Sequence, residues 1–189
     1  MEIATMPSKS PDWALHRLGG SPDQREHEIT SLAQLLIEIV ADNGSVGFLH
    51  PLSMETAREF WSAALDESDK GRRTILGAME GANLVGTVSI SISTPENQPH
   101  RAEIMKLMTR KSHARRGVAT ALMVAAEKVA VEHGRTHLTL DTAEQGGAGE
   151  LYERLGYFRA GSIPDYALKP HGGLTATVIY WKLVGCESD

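Results

Sequence analysis

Along the first third of the chain, apolar residues return every three or four positions. Ile29, Leu32, Leu36, Ile39 and Val40 fall on one helical face, and Ala57, Phe60, Trp61, Ala64 and Leu65 on another. Ser21, followed by Pro22 and Gln24, reads as the capped start of the first helix, and Asn43-Gly44 marks its end. Ser53 reads as the cap of the second. Before both, WALHRL at residues 13–18 has the spacing of a strand. From Thr74 the period drops to two. TILGAME and LVGTVSISIS are strands joined through Gly81-Ala82-Asn83, and the alternation of Val88, Ile90 and Ile92 with Ser89, Ser91 and Ser93 predicts a hairpin with one wetter face.

RAEIMKLMT at residues 101–109 is the next strand. A helix with Val118, Leu122, Ala125 and Val129 inward follows, and Gly134 stops it. HLTLD at residues 137–141 is a short strand that sends Leu138 and Leu140 one way and His137, Thr139 and Asp141 the other. GELYERLGY makes a short helix closed by Gly156, and TATVIYWKLV at residues 175–184 ends the fold as a strand. The predicted order is β-αα-βββ-α-β-α-ββ, an α+β fold with a mixed sheet of about seven strands flanked by four helices. One domain over residues 12–184 is expected, between a flexible segment 1–11 and a tail 185–189.

Composition narrows the chemistry. A chain of 189 residues, 41% hydrophobic, is long enough for one ordinary core. Its net charge of −5 gives it no general attraction for nucleic acid or an anionic membrane, so any anion site must be local. The one cysteine, Cys186, leaves no internal disulfide and reads as incidental. With no membrane-length apolar run and no signal-peptide core, a cytoplasmic protein is expected. His27 and Glu28 lack the second histidine of a zinc helix, so no metal is expected. Neither a Gly-x-Ser-x-Gly elbow nor a Walker loop is present, and GGAGE lacks a dinucleotide register. His100, His137 and His171 lie near strand ends, with His171 also a candidate for an acceptor pocket.

One stretch carries a conflict. HARRGVATALM puts two arginines at the start of a helix, where the dipole is already positive. A basic surface cap is one reading, and a seat for an external anion is the other. Gly117 would let the backbone approach such an anion closely, and Ala119 would stay small for the same reason.

Strand RAEIMKLMT, then SHARRGVATALM, strand HLTLD and LYERLGY together resemble the GCN5-related N-acetyltransferase (GNAT) superfamily, across about residues 12–184. In the family motif Gln/Arg-x-x-Gly-x-Gly/Ala, Gly117 and Ala119 hold the last two places, while Ala114 stands at the first and leaves Arg115 and Arg116 as the local cations. More closely, SVGFL, RAEIMKLM, LTLDT and Gly-x-x-Pro-x-Tyr before TATVIYWK are similar to the tabtoxin resistance acetyltransferases.

The resemblance implies acetyl-CoA as cofactor. Its pyrophosphate would sit on the N–H groups of Arg116, Gly117, Val118, Ala119 and Thr120, with Arg115 or Arg116 pairing to phosphate oxygens, and its pantetheine arm would lie along Leu107, Met108 and Thr109. A bulge or splay is expected there. Acetyl transfer also needs a neutral amine, which costs roughly 3 to 4 kcal/mol at pH 7, so a base is required. Glu103 and Asp141 are the candidates, with solvated-strand and turn-capping roles as their structural alternatives. Tyr152 takes the tyrosine of the family's N-x-x-A-x-x-L-Y pattern and is the expected general acid, with simple aromatic packing as the alternative. The upstream places of that pattern are read at Gly146 and Gly149, which predicts a mobile rim in EQGGAGE.

Acceptor contacts are expected from ADNGSVGFLHP, with Ser45 and Phe48, and from SIPDYALKPHGG, with Asp165 and Tyr166. The expected acceptor is a small amine, an amino-acid-like compound or an antibiotic or toxin. A protein N-acetyltransferase and a non-catalytic acyl-CoA sensor are the alternatives, and the superfamily admits a homodimer.

Overall fold

The structure is a computed structural model that describes residues 11–19, 22–146 and 148–185. The proposed cap Ser21, most of the segment 1–11 and Cys186 lie outside the described residues. The chain runs β1 (Ala14–Leu18), α1 (Pro22–Ala41), α2 (Met54–Asp69), β2 (Arg73–Glu80), β3 (Asn83–Ser91), β4 (Arg101–Thr109), a 3₁₀ turn (Lys111–His113), α3 (Val118–Glu132), β5 (His137–Ala143), α4 (Gly149–Arg154), β6 (Phe158–Leu168) and β7 (Leu174–Leu183). One sheet holds all seven strands in the order β1-β2-β3-β4-β5-β7-β6. Only β4 and β5 are parallel, joined by α3 as crossover.

Two cores cover the two faces of the sheet. Against one face α3 packs Val118, Leu122, Met123, Ala126 and Val129 on Val88, Ile90, Ala102, Ile104 and Leu138. On the other, α1 and α2 bring Leu32, Leu36, Val40, Trp61 and Leu65 to Ile75 and Leu84. Ser53 caps α2 as its sequence indicates, its Oγ accepting from the Thr56 N–H at 3.0 Å. Of the predicted inward residues, Phe60 and Ala125 are only partly covered.

The wetter face expected for β3 does not exist. Ser89 pairs with Ile75, which belongs to the α1/α2 core, and Ser89 is completely buried. Helices on both faces turn a strand with a serine alternation into a central one. Thr87, also fully buried, donates to the Leu76 carbonyl at 2.8 Å, a bond that offsets its desolvation.

The last expected loop is also different. Residues 162–168 of SIPDYALKPHGG belong to β6, an edge strand that pairs with β7 through Ser162↔Val178, Ile163↔Thr177, Ala167↔Thr175 and Leu168↔Leu174, with a bulge between Ile163 and Ala167. Asp165 takes φ 50° within that bulge. Pro164 and the left-handed residue interrupt the alternation that would have announced a strand.

Where α3 meets β3 there is no spare volume. A Cβ added at Gly86 would lie 2.8 Å from Val118 Cγ1, 3.0 Å from the Met108 carbonyl oxygen and 3.1 Å from Leu122 Cδ1. Gly86→Ala should therefore overpack this contact and lower stability by about 1 to 3 kcal/mol, read as a reduced urea midpoint at unchanged slope.

Candidate functional site

The site begins where β4 stops pairing. β4 and β5 are in register at Arg101↔His137, Ala102↔Leu138 and Glu103↔Thr139, and no pair follows. On its other side β4 carries a bulge, because Thr87 pairs with Met108 and Ser89 with Met105, leaving Lys106 and Leu107 opposite Val88 alone. Lys106 takes φ 55° there. The bulge and splay expected near Leu107-Met108-Thr109 are both present, and from Ile104 onward the β5-facing backbone edge of β4 has no strand beside it.

A cavity of about 690 Å³ fills the opening. Its walls are Ile104–Thr109 of β4, Asp141–Ala143 of β5, Asn43–Gly47 after α1, and Tyr152 and Tyr166. Leu107, Met108, Thr109, Ser45, Asp141, Tyr152 and Tyr166 thus meet as the sequence suggested. A smaller cavity of about 170 Å³ adjoins it through Asp141 and Tyr166, and Glu103 lines this one with Arg101 and Thr177.

Three sequence-predicted residues sit elsewhere. Phe48 lines neither cavity and packs edge-to-face on Phe60 at 5.2 Å between centroids. Asp165 is exposed on the β6 bulge and reaches neither cavity. His171 is set against His50 at 4.4 Å, and its Nε2 lies 3.0 Å from the Ala41 carbonyl oxygen, so it joins the loop after α1 to the β6–β7 turn instead of lining the pocket.

The two carboxylates have different surroundings. Thr177 Oγ1 is 2.8 Å from Asp141 Oδ2 and 3.1 Å from the Thr142 carbonyl, so its proton serves one or the other. Asp141 Oδ1 accepts no hydrogen bond among the described residues and faces the cavity. Glu103 Oε2 is 3.9 Å from Arg101 Nη1 and lies toward the smaller cavity.

Tyr152 is almost fully buried, with its ring 5.6 Å from Tyr180 and 6.0 Å from Tyr157. Burial chiefly, with the negative charge of Asp141 and the ring of Tyr180 adding to it, pushes its phenol up to about 12. It is therefore a protonated donor throughout the neutral range. Counting back from Tyr152, the upstream places of the N-x-x-A-x-x-L-Y pattern fall on Gln145 and Ala148, not on Gly146 and Gly149. Gln145 and Ala148 both line the cavity. Gly149 has a packing reason to be small, since a Cβ there would lie 2.8 Å from Tyr180 Oη.

The turn into α3 lies beyond the cavity end at Thr109 and does not line it. Arg115 and Gly117 take φ 61° and 82°, and the first backbone donor of the helix with a partner is Ala121, which bonds the Gly117 carbonyl at 3.0 Å. The N–H groups of Gly117, Val118, Ala119 and Thr120 have no acceptor among the described residues. The Arg116 N–H is different, bonding the His113 carbonyl at 3.4 Å. Its guanidinium pairs with Glu80 at 3.4 Å and Asp12 at 3.5 Å, whereas Arg115 has no ion pair among the described residues. Four adjacent free donors beside a free arginine suit a phosphate group. Sequence reading missed His113, which is buried behind the turn with Nε2 3.3 Å from Glu80 and Nδ1 2.9 Å from Ser112 Oγ. It also missed Lys106 and Thr177, since neither stands in a recognisable motif.

Among the described residues there is no helix long and apolar enough to cross a membrane. The sequence profile of the acetyltransferase (GNAT) family matches residues 34–157. Solved structures share the fold at low identity. One is yncA of Salmonella typhimurium, solved with its cofactor acetyl-CoA, at 12% identity and a TM-score of 0.74 over 95% of this chain and 98% of that one. Another is a ribosomal-protein-alanine N-acetyltransferase of Brucella melitensis, at 17% identity and a TM-score of 0.74 over 90% and 99%. A third, provisionally described as a phosphinothricin N-acetyltransferase, gives 16% identity and a TM-score of 0.73 over 90% and 98%.

The raised phenol of Tyr152 has a stability signature. Above pH 10 the unfolded chain ionises this group while the folded chain resists until about 12, so its contribution is intact below pH 10 and lost as pH rises toward 12. Tyr152→Phe should flatten the fall in urea-unfolding free energy across that window, by up to about 1.4 kcal/mol per pH unit.

Proposed function

The chain belongs to the acetyltransferase (GNAT) family, and we propose that it uses acetyl-CoA to acetylate the amine of a small acceptor by direct attack. The observation that carries this reading is the cavity between β4 and β5, with an unpaired backbone edge on one wall and Asp141 and Tyr152 at its side. The groups present fit the cofactor. A pantetheine arm is a chain of amides, which suits the free edge of β4 at Leu107, Met108 and Thr109. A pyrophosphate suits the free N–H groups of Gly117, Val118, Ala119 and Thr120, with Arg115 as its cation. When bound, acetyl-CoA supplies an activated thioester.

The chain's own residues then divide the proton work. Asp141 Oδ1, free of internal hydrogen bonds and held in place through Oδ2, takes a proton from the incoming ammonium directly or through one water. Glu103, beside Arg101, adds negative potential from the smaller cavity and draws the cationic acceptor in. Tyr152 holds its proton at Oη for the leaving sulfur. Asn43–Gly47 and Tyr166 bound the space left for the acceptor, which favours a small molecule over a peptide. Within that class, likeness to the tabtoxin resistance enzymes in SVGFL, LTLDT and Gly161-x-x-Pro164-x-Tyr166 supports a tabtoxinine-type β-lactam amino acid as the first acceptor to try.

Thiol release from acetyl-CoA over a panel of amines, amino acids, antibiotics and peptides tests the reading. Turnover only with peptides, or calorimetry that shows no association with CoA, would overturn it. Asp141→Asn should lower kcat/KM by on the order of 100-fold at pH 7, and the loss should shrink as pH approaches the acceptor's own pKa, where the base is no longer needed. Arg115→Ala should weaken CoA binding by about five-fold at low salt, and less as salt screens the pair. Arg116→Ala should do less, because Glu80 and Asp12 already occupy that guanidinium.

A further inference from the structure

Acetyl transfer as derived above leaves one charged group of the cavity without a task. Lys106 lines the larger cavity from the β4 bulge, half-buried and in a left-handed backbone conformation. Its Nζ lies 5.9 Å from the centroid of Phe48 and 5.5 Å from that of Phe60, and 3.3 Å from the place a Cβ would take at Gly47. Two aromatic rings and a side-chain-free backbone thus fix where the ammonium sits.

The acidic groups nearby are already engaged. Asp141 Oδ2 faces Thr177 and Glu103 faces Arg101, and Lys106 makes neither a hydrogen bond nor an ion pair within 4.0 Å among the described residues. Burial chiefly, and then the charge of Arg73, lowers the pKa of the ammonium, against the opposing pull of Asp141 and Glu103. A cation withdrawn from water without a hydrogen-bonded anion is unfavourable, and an anion brought in from outside relieves it.

Resting on the acetyl-transfer reading of the same cavity, we infer that Lys106 binds an anionic group of the acceptor, so that the acceptor is an amino acid held by its carboxylate at Lys106 and its amine at Asp141. The two poles of the cavity match the two charges of such a molecule. Phe48, expected from the sequence as an acceptor contact, acts beneath the surface by holding this lysine. Lys106 then sets specificity and takes no part in the proton transfers.

Free amino acids and their carboxamides, which keep the amine and remove the anion, are the probes. Two readouts are needed: thiol release from acetyl-CoA, and calorimetric binding of each probe to the protein saturated with CoA. The wild type should favour each reactive acid over its amide in both. Lys106→Met, which retains an apolar stem against the two phenylalanines, should raise KM for the acid by on the order of 30-fold with kcat little changed and leave the amide nearly unaffected. Lys106→Arg should keep most of the preference for the acid. Equal treatment of acids and amides by the wild type, or an equal loss for both in Lys106→Met, overturns the assignment. The two readings fail separately. Preferential binding of acids without any thiol release would keep the anion site and remove the transfer reaction, while thiol release indifferent to the carboxylate would do the reverse.

Discussion

A strand in the middle of a sheet has two edges to satisfy, and β4 satisfies only one of them beyond Glu103. It is held to β3 along its length, across a bulge, and released from β5 after three pairs. An unpaired backbone edge inside a protein is costly unless water or a ligand completes it. The cavity, the alignment of Asp141 with Tyr152 and the position of Lys106 all follow from that divergence. Helices keep it open. α3 is clamped against β3 at Gly86, and α1 with α2 fills the opposite face, so β4 cannot slide toward β5 without emptying one core or crowding the other.

The bulge that bends β4 also decides the electrostatics. Side chains alternate along a regular strand, and one extra residue breaks that alternation. The left-handed turn at Lys106 brings its ammonium over Phe48 and Phe60, away from the carboxylate of Glu103 three residues earlier. Opposite charges on neighbouring strands therefore remain separate, each facing the cavity or its own partner. In a partly desolvated cleft such separation persists because no mobile solvent intervenes to neutralise it. Tyr152 illustrates the converse, a phenol kept neutral by burial and by the carboxylate beside it.

The turn into α3 contributes a second, more local field. Its amides are free because helix geometry leaves the first N–H groups without acceptors, and Gly117 reaches its left-handed conformation without strain. The two arginines look alike in sequence but differ in role, since Glu80 and Asp12 take up Arg116 and leave Arg115 unpaired. That difference arises from β2 and from the segment before β1, both more than thirty residues away.

Element order, both early helices, the crossover helix and the phosphate-suited turn were legible in the sequence, because each rests on local periodicity or on backbone requirements that a few neighbouring residues express. Asp141 and Tyr152 were legible for the same reason, one on the outward face of a strand and the other in a motif with fixed spacing. Other features depended on contacts that local sequence does not encode. Ser89 looks like a solvent-facing residue until two helical layers close over it, Asp165 looks like a site residue until the β6 bulge turns it away, and Lys106 is an ordinary lysine until β4 bends beneath it. Sequence by itself determined which segments are helices and strands and which backbone turn suits an anion, since those are short-range properties. Tertiary structure alone decided which charges share the cavity and which are already neutralised, since that depends on the packing of strands and helices far apart in the chain.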